Sequence, residues 1–179
     1  MSPEIWIGLG SNQGDRRACL IYGLRRLAEI SKLGCISSLY ETEPWGKTDQ
    51  PFFYNAVCSL FTRVTNPLEF LEALKSIERD AGRDAGVRRW GPRPLDLDIL
   101  FWGSLVLNEE VLAIPHPHIA QRRFVLTPLE EVAPELRHPV SGLTVQEMLQ
   151  QCSDSGTVRR IGKLELTDYS RGIPWIKHS

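Results

Sequence analysis

The chain has 179 residues, of which 42% are hydrophobic and 24% are charged, and its formal net charge at pH 7 is −1. These values are typical of one globular domain with its own hydrophobic core. They argue against an intrinsically disordered chain and against a general nucleic-acid-binding protein.

The first half of the chain predicts strands on either side of a helix. Residues 5–11 form a short apolar run that ends in glycines, which indicates a central strand followed by a turn. Asp15 caps the helix that follows, a stripe of leucines forms its apolar face, and Gly34 ends it. Residues 35–44 and 54–62 are predicted to be the next two strands.

The second half begins with a strong helix start, with Asn66 at the cap, Pro67 in the first turn and Gly82 at the end. Residues 95–102 are predicted to form a strand, and residues 115–123 are irregular. Residues 124–136 are expected to return to strand and a short helix. Thr144 and Glu147 form a capping box that opens a helix through residue 152.

The order β-α-β-β-α-β predicts an α+β fold of the ferredoxin-like plan, an antiparallel sheet with helices on one face. We divide the chain into a domain at residues 1–152 and a C-terminal extension of unknown role at residues 153–179.

The four cysteines lie far apart without a CxxC pair, which indicates buried side chains and no disulfide or zinc framework. The chain lacks a signal peptide and a membrane-spanning run, so we expect a cytoplasmic protein.

Two aspartates stand at the start of the strand predicted at 95–102. In a strand, residues two apart share a face, so Asp96 and Asp98 project together while Ile99 faces the other way. Their Cα atoms would lie about 6.5 Å apart, where two charges repel by about 2.5 kcal/mol at an effective dielectric near 20. A magnesium ion between them would remove this cost, because carboxylate oxygens suit Mg²⁺. The alternative is a solvated aspartate pair on an edge strand.

An arginine-rich loop precedes these aspartates. Its charged residues between positions 82 and 94 are Arg83, Asp84, Arg88, Arg89 and Arg93. Carboxylates, metal and arginines together suit phosphoryl transfer, and long loops of this kind are often lids. A solvated basic loop is the alternative. The stretch GLGSNQGD matches neither a Walker motif nor GxGxxG, so we interpret it as a strand-to-helix turn where a ligand approaches the backbone.

Seven segments carry a resemblance that spans residues 5 to about 136. They are GLGSNQGD, YETEPWG, DQPFFYNAV, IERDAGR, RWGPRPLDLDIL, IPHP and RRFVLTPLEEVAP. Together they resemble the 6-hydroxymethyl-7,8-dihydropterin pyrophosphokinase family of folate biosynthesis. The resemblance implies that the chain transfers pyrophosphate from ATP to the hydroxymethyl group of the pterin and releases AMP.

The resemblance also implies how the phosphates and metal are held. Asp96 and Asp98 would hold two magnesium ions, Arg83 and Arg93 would contact the phosphates, and the loop with Trp90 would close over the site. Three further positions match nucleotide-contacting residues of the family, namely Ile99, His116 and Arg122.

For the pterin, the resemblance implies stacking between Phe53 and Phe124 and a hydrogen bond from Asn55, with groups near Thr42 and Trp45 completing the pocket. A flat heteroaromatic ring needs such stacking faces and a few polar groups. The chain departs from the family where some members carry tyrosine in place of Phe53. It also departs at Ala85, because other members of the family carry a second lid arginine at this position; Arg88 or Arg89 could substitute for it here. At Val111, other members carry a basic residue.

Two other functions fit parts of the pattern. With water as the acceptor, the same metal and arginines would make a nucleotide hydrolase. An RNA-binding sheet is the non-catalytic alternative, although the net charge near zero opposes it.

His116 and His118 could suggest a zinc site, but the sequence shows no third ligand for it. We expect a monomer whose partners are the pterin and ATP, with neither nucleic acid nor membrane.

Overall fold

The computed structural model of the protein describes residues 3–46, 49–82 and 93–166. The elements in these ranges are, in order, β1 (Glu4–Ser11), α1 (Arg16–Ile30), β2 (Lys32–Ile36), β3 (Leu39–Thr42), β4 (Phe53–Phe61), α2 (Pro67–Asp80), β5 (Asp96–Trp102), β6 (Leu107–Asn108), β7 (Ala113–Ile114), α3 (Arg123–Val132), α4 (Val145–Gln151) and β8 (Val158–Gly162). A short 3-10 turn, Ile119–Gln121, precedes α3.

The main sheet has the strand order β5-β1-β4-β3-β8, with β2 also paired to β4, and its pairings are antiparallel. This order confirms the βαββαβ ferredoxin-like plan, in which β2 and β3 together act as one interrupted strand. β1 lies between the end strand β5 and the middle strand β4 and is paired on both sides.

The two faces of the sheet are covered differently. On the first face, α1 and α2 bury apolar side chains against the strands, including Ile5, Ile7, Leu9, Leu20, Leu24, Leu27, Phe70, Leu74 and Ile77. On the second face, α3 and α4 form another core, which includes Trp6, Val57, Leu100, Leu126, Leu129 and Met148. The predicted helices on one face are therefore α1 and α2, and α3 and α4 add a second layer that the sequence analysis did not include.

Some predicted boundaries were wrong. The expected strand at 35–44 is broken because Ser38 donates both its N–H and its hydroxyl to the Glu131 carboxylate of α3, at 2.9 and 2.7 Å. α1 ends at Ile30 with Ser31 as its C-cap, and Gly34 lies inside β2.

The strand expected within 124–136 is instead the start of α3, even though Pro128 lies inside this helix. Val125, Leu126 and Leu129 are buried, at a helical spacing that a strand would not keep on one face. The glycines of GLGS belong to β1 and do not form a turn.

Sequence beyond residue 152 contributes to the sheet. β8 pairs with β3, and two arginines of α1 hold the chain that follows it. Arg17 donates to the carbonyl of Lys163 and Arg25 donates to the carbonyl of Leu166, both at 3.0 Å. The domain boundary at 152 stays a prediction. Within the described ranges, no helix is long and apolar enough to cross a membrane.

Candidate active site

The candidate site is built on three neighbouring strands at one end of the sheet. In the register, Gly10 of β1 lies between Asn55 of β4 and Asp96 of β5, and Gly8 is the partner of Asp98. Cross-strand partners share a face, so both aspartates and Asn55 point to the second face. There α3 and α4 leave this end of the sheet open.

The open end is a cleft of about 640 Å³. Ten of the thirteen residues predicted for the site line it: Thr42, Trp45, Phe53, Asn55, Arg93, Asp96, Asp98, His116, Arg122 and Phe124. Arg83 and Trp90 lie outside the described residues, as do Ala85, Arg88 and Arg89. Ile99 is the exception among described candidates, because its side chain is buried in the core of the first face.

The sequence analysis expected a ligand near the backbone of GLGSNQGD but did not name Gly8 and Gly10 as site residues. They line the cleft, and the absence of side chains there leaves room above the sheet between Asn55 and the two aspartates. A Cβ on Gly10 would lie 3.0 Å from Asn55 Oδ1, which is closer than most real Cβ contacts. The available signal was two glycines at i and i+2 in a strand, which leaves a bare strip on one face.

Arginines neutralise both aspartates in the structure. Arg93 Nη1 lies 2.7 Å from Asp96 Oδ1, and Arg122 Nη1 lies 3.4 Å from Asp98 Oδ2. The side chain of Arg122 is only 7% exposed, whereas that of Asp98 is 39% exposed. The repulsion expected between the two carboxylates is therefore offset by these cations, and the carboxylate with the greater exposure faces the cleft.

The donor set also fits magnesium. Within the described ranges, no three His, Cys, Asp or Glu side chains converge as a metal site, so these ranges form no closed cage. Mg²⁺ is usually held by one or two carboxylates together with substrate phosphates and water. Asp96 and Asp98 could supply the two carboxylates, and the arginines beside them suit phosphate oxygens.

Arg122 connects the aspartates to aromatic side chains. Its guanidinium carbon lies 4.9 Å from the ring centre of Trp45 and 5.7 Å from that of Phe124. Burial lowers the pKa of Arg122 from its usual value, and the charge of Asp98 acts in the opposite direction. Arg122 is thus a cation held between rings and carboxylates at the middle of the cleft.

His116 lies beside Arg122 and is neutral at physiological pH. Burial, together with the positive charge of Arg122 and the neighbouring His118, lowers the pKa of His116 to about 3. Its Nδ1 accepts the backbone N–H of His118 at 3.2 Å, and its Nε2 lies 3.2 Å from Arg122 Nη1. His116 can therefore offer hydrogen bonding to a ligand but no charge.

The other end of the cleft, which we call the aromatic end, is formed by Trp45, Phe53, Asn55 and Phe124. The ring centres of Trp45 and Phe124 are 6.5 Å apart. Asn55 is buried and donates from Nδ2 to Thr42 Oγ1 at 2.7 Å, which fixes the orientation of its amide. Rings around an oriented amide are suited to a flat, polar heteroaromatic ligand.

Asn12 was also missed, and it ties together segments at the rim of the cleft. Its side chain accepts the N–H of Arg93 at 2.8 Å and donates to Gln50 Oε1 and the Pro51 carbonyl at 3.1 and 3.4 Å. Its own N–H donates to the Arg93 carbonyl at 3.2 Å. Such contacts join residues up to 81 positions apart, so no local motif announces them.

Comparison with known proteins agrees with this geometry. Residues 6–134 match the family described as 7,8-dihydro-6-hydroxymethylpterin-pyrophosphokinase (HPPK). The chain is 41% identical over 156 residues to the 2-amino-4-hydroxy-6-hydroxymethyldihydropteridine pyrophosphokinase of Methylorubrum extorquens, covering 86% of this chain and 96% of that protein. The protein of the same name from Pseudomonas aeruginosa is 41% identical over 165 residues, covering 90% of this chain and 99% of the other.

Longer proteins match over only part of their length. The folic acid synthesis protein fol1 of Pneumocystis carinii is 39% identical over 154 residues, which are 86% of this chain and 20% of that protein. Among solved structures, wild-type HPPK-DHPS of Plasmodium falciparum superposes with a TM-score of 0.68 at 18% identity, covering 84% of this chain and 45% of the other. At that identity the superposition supports the fold alone.

Proposed function

The chain belongs to the 7,8-dihydro-6-hydroxymethylpterin-pyrophosphokinase family, and from this we propose that the cleft at the open end of the sheet is its active site. The chain is a diphosphotransferase of folate biosynthesis that transfers pyrophosphate from ATP to 6-hydroxymethyl-7,8-dihydropterin. One observation carries the assignment of the site: Gly8 and Gly10 place the two aspartates and Asn55 around one open strip of sheet.

In this proposal the pterin lies at the aromatic end. Phe53 and Phe124 stack on its ring, and Asn55, held by Thr42, hydrogen-bonds its polar edge. The hydroxymethyl group then extends along the bare strip toward Asp96 and Asp98. Binding energy from the ring is used to orient the attacking oxygen, which is the main contribution that positioning makes to catalysis.

The ATP phosphates would lie between the aspartates and the arginines. Arg93 and Arg122 would exchange part of their contact with the carboxylates for phosphate oxygens and so stabilise the charge of the transition state. Asp96 and Asp98 would hold Mg²⁺, which when bound offsets phosphate charge and lowers the pKa of a nearby hydroxyl. Arg83 and Trp90, outside the described residues, stay proposed members of this end.

The reaction forms one P–O bond, breaks another and releases a proton. The pterin hydroxyl oxygen attacks the β-phosphorus of ATP, and the bond from that phosphorus to the oxygen bridging toward the α-phosphate breaks. The β- and γ-phosphates are transferred, AMP leaves, and the hydroxyl proton passes to solvent. His116, neutral and close to Arg122, would hydrogen-bond the nucleotide. The two-ion count, the monomeric state and the cytoplasmic location stay proposals.

The test is product analysis with purified protein, ATP, Mg²⁺ and the pterin. We expect AMP and pyrophosphorylated pterin in equal amounts, and no AMP when the pterin is left out. ADP as the nucleotide product would contradict the proposed chemistry. ATP loss at the same rate without pterin would instead indicate a nucleotide hydrolase.

A second prediction concerns the bare strip. Gly10→Ala should raise the KM for the pterin about tenfold, because an added methyl that overpacks a fitted site costs about 1–3 kcal/mol. The added Cβ would meet Asn55 Oδ1 at 3.0 Å. Steady-state kinetics with each substrate varied in turn would measure this, and the KM for ATP should change less.

Gly8→Ala is the matched comparison for this variant. Its Cβ would meet only the Leu100 side chain, at an ordinary 3.4 Å, so we expect a smaller effect on the pterin. Equal effects of the two variants would show that the close approach of Gly10 to Asn55 does not matter for pterin binding.

A further inference from the structure

A short segment after α4 lies against the aromatic end of the cleft. Asp154, Gly156 and Thr157 line a smaller cavity of about 210 Å³ together with Trp45 and Phe124. This segment lies beyond residues 6–134, over which the chain matches its family. The family match therefore does not describe its contacts, although the Pseudomonas aeruginosa relative matches 90% of this chain.

The first contact of the segment caps α3. Arg123, the first residue of that helix, donates its N–H to Asp154 Oδ2 at 3.1 Å and its Nε to the Asp154 carbonyl at 2.8 Å. The N-cap position of α3 makes no side-chain cap of its own. A carboxylate here satisfies a helix N–H and interacts favourably with the positive end of the helix dipole.

This cap acts on a functional stretch of the helix. Phe124, the proposed stacking residue, directly follows the capped residue, and Arg122 directly precedes it. Asp154 also accepts the N–H of Gly156 through Oδ1 at 2.9 Å, which holds its carboxylate in place. Asp154 therefore fixes one wall of the aromatic end without lying among the residues that line the large cleft.

The second contact holds the chain beside Phe53, the other proposed stacking residue, because Thr42 of β3 is the register partner of Phe53. Thr157 donates its N–H and its hydroxyl to the Glu43 carboxylate at 3.0 and 3.1 Å, and its carbonyl accepts the Glu43 N–H at 3.2 Å. Glu43 directly follows Thr42, which holds Asn55, and stands two residues before Trp45. The same four-residue segment thus contacts Arg123, which is next to Phe124, and Glu43, which is next to Thr42.

We propose that residues 154–157 are a positioning segment that sets the separation of the two walls of the pterin pocket, with Asp154 and Thr157 as its positioning residues. This inference rests on the proposed function of the cleft. Neither residue touches the reacting atoms. Their effect is on the spacing between Phe124 on one side and the Thr42–Trp45 stretch on the other, and so on affinity for the pterin rather than for ATP.

The test uses the full chain with Asp154→Ala. We expect the pterin KM to rise about fivefold, the effect of losing one helix cap, while the KM for ATP stays within about twofold. The dissociation constant of the pterin, measured at equilibrium with a non-hydrolysable ATP analogue, should rise by the same factor. Asp154→Asn keeps one acceptor oxygen and should recover most of the affinity.

Asn66→Ala is the matched control, because Asn66 caps α2 through the N–H of Leu68 and lies away from the aromatic end. It should lower the melting temperature comparably while leaving both KM values unchanged. Should Asp154→Ala fold too poorly to measure, Thr157→Val removes only one hydroxyl contact and should still raise the pterin KM selectively.

The inference fails if Asp154→Ala and Thr157→Val lower the melting temperature but leave the pterin KM at the wild-type value. It also fails if the KM values for pterin and ATP rise together. Failure of the proposed function would look different, because the unsubstituted protein would then form no AMP with the pterin.

Discussion

Asp98→Ala is expected to lower turnover about 10²–10³-fold while leaving pterin affinity largely intact. The substitution removes one of the two carboxylates proposed to hold Mg²⁺, and charge stabilisation of this kind is worth about 10²–10³ in kcat for a single group. The pterin is proposed to bind through rings and an amide at the other end of the cleft. The measurement is kcat from AMP formation, together with the pterin dissociation constant.

Stability must be followed beside turnover for this variant. The buried Arg122 would lose the carboxylate that lies 3.4 Å away, which costs about 1–3 kcal/mol of unfolding free energy. Asp80→Ala is the control, because it breaks another arginine–aspartate pair, with Arg26 at 2.9 Å, outside the cleft. Asp80→Ala should retain wild-type turnover. If Asp98→Ala also does, the carboxylate pair is not the metal site.

Arg93→Ala is expected to lower kcat about 10²–10³-fold, because it removes a donor proposed to contact the transferred phosphates. The structure gives a reason for the fold to survive. The tie between residue 93 and Asn12 runs through the backbone N–H and carbonyl of Arg93, at 2.8 and 3.2 Å, and alanine keeps both. The Asp96 carboxylate would lose its partner at 2.7 Å, so the unfolding free energy should fall by about 1–3 kcal/mol, and the protein should stay folded.

Two variants sharpen the Arg93 experiment. Arg93→Lys keeps the charge but loses the planar fork, so it should recover only part of the rate. Arg26→Ala removes an arginine that pairs with Glu29 and Asp80 on the surface, and it should leave kcat unchanged. Loss of the folded state in Arg93→Ala, seen by circular dichroism, would identify Arg93 as a structural residue instead.

The local part of this architecture could be predicted from the sequence. The spacing of Asp96 and Asp98 placed both on one face, because the side-chain period of a strand is two. Asn66 and Thr144 marked helix starts through their own hydrogen bonds, which involve residues two or three positions away. In each case the decisive contacts lie within one element.

The failed boundaries at Ser38 and in α3, and the missed Asn12, depended on distant partners. The break at Ser38 requires Glu131, 93 residues later, and the cap of α3 requires Asp154, 31 residues away. The first residues of α3 favour a strand by their own preference, but burial against the second face made them helical. Tertiary contacts outweighed local propensity there, and no local pattern could have announced them.

The second face of β1 changes from the largest side chain to none within five residues, through Trp6, Gly8 and Gly10. This taper has an evolutionary consequence. On the opposite face, substitutions at residues 5, 7 and 9 are limited by how much volume they remove. At residues 8 and 10, substitutions are limited by how much side-chain volume they add. Successive positions of this one strand should therefore alternate between tolerating only large and only small side chains.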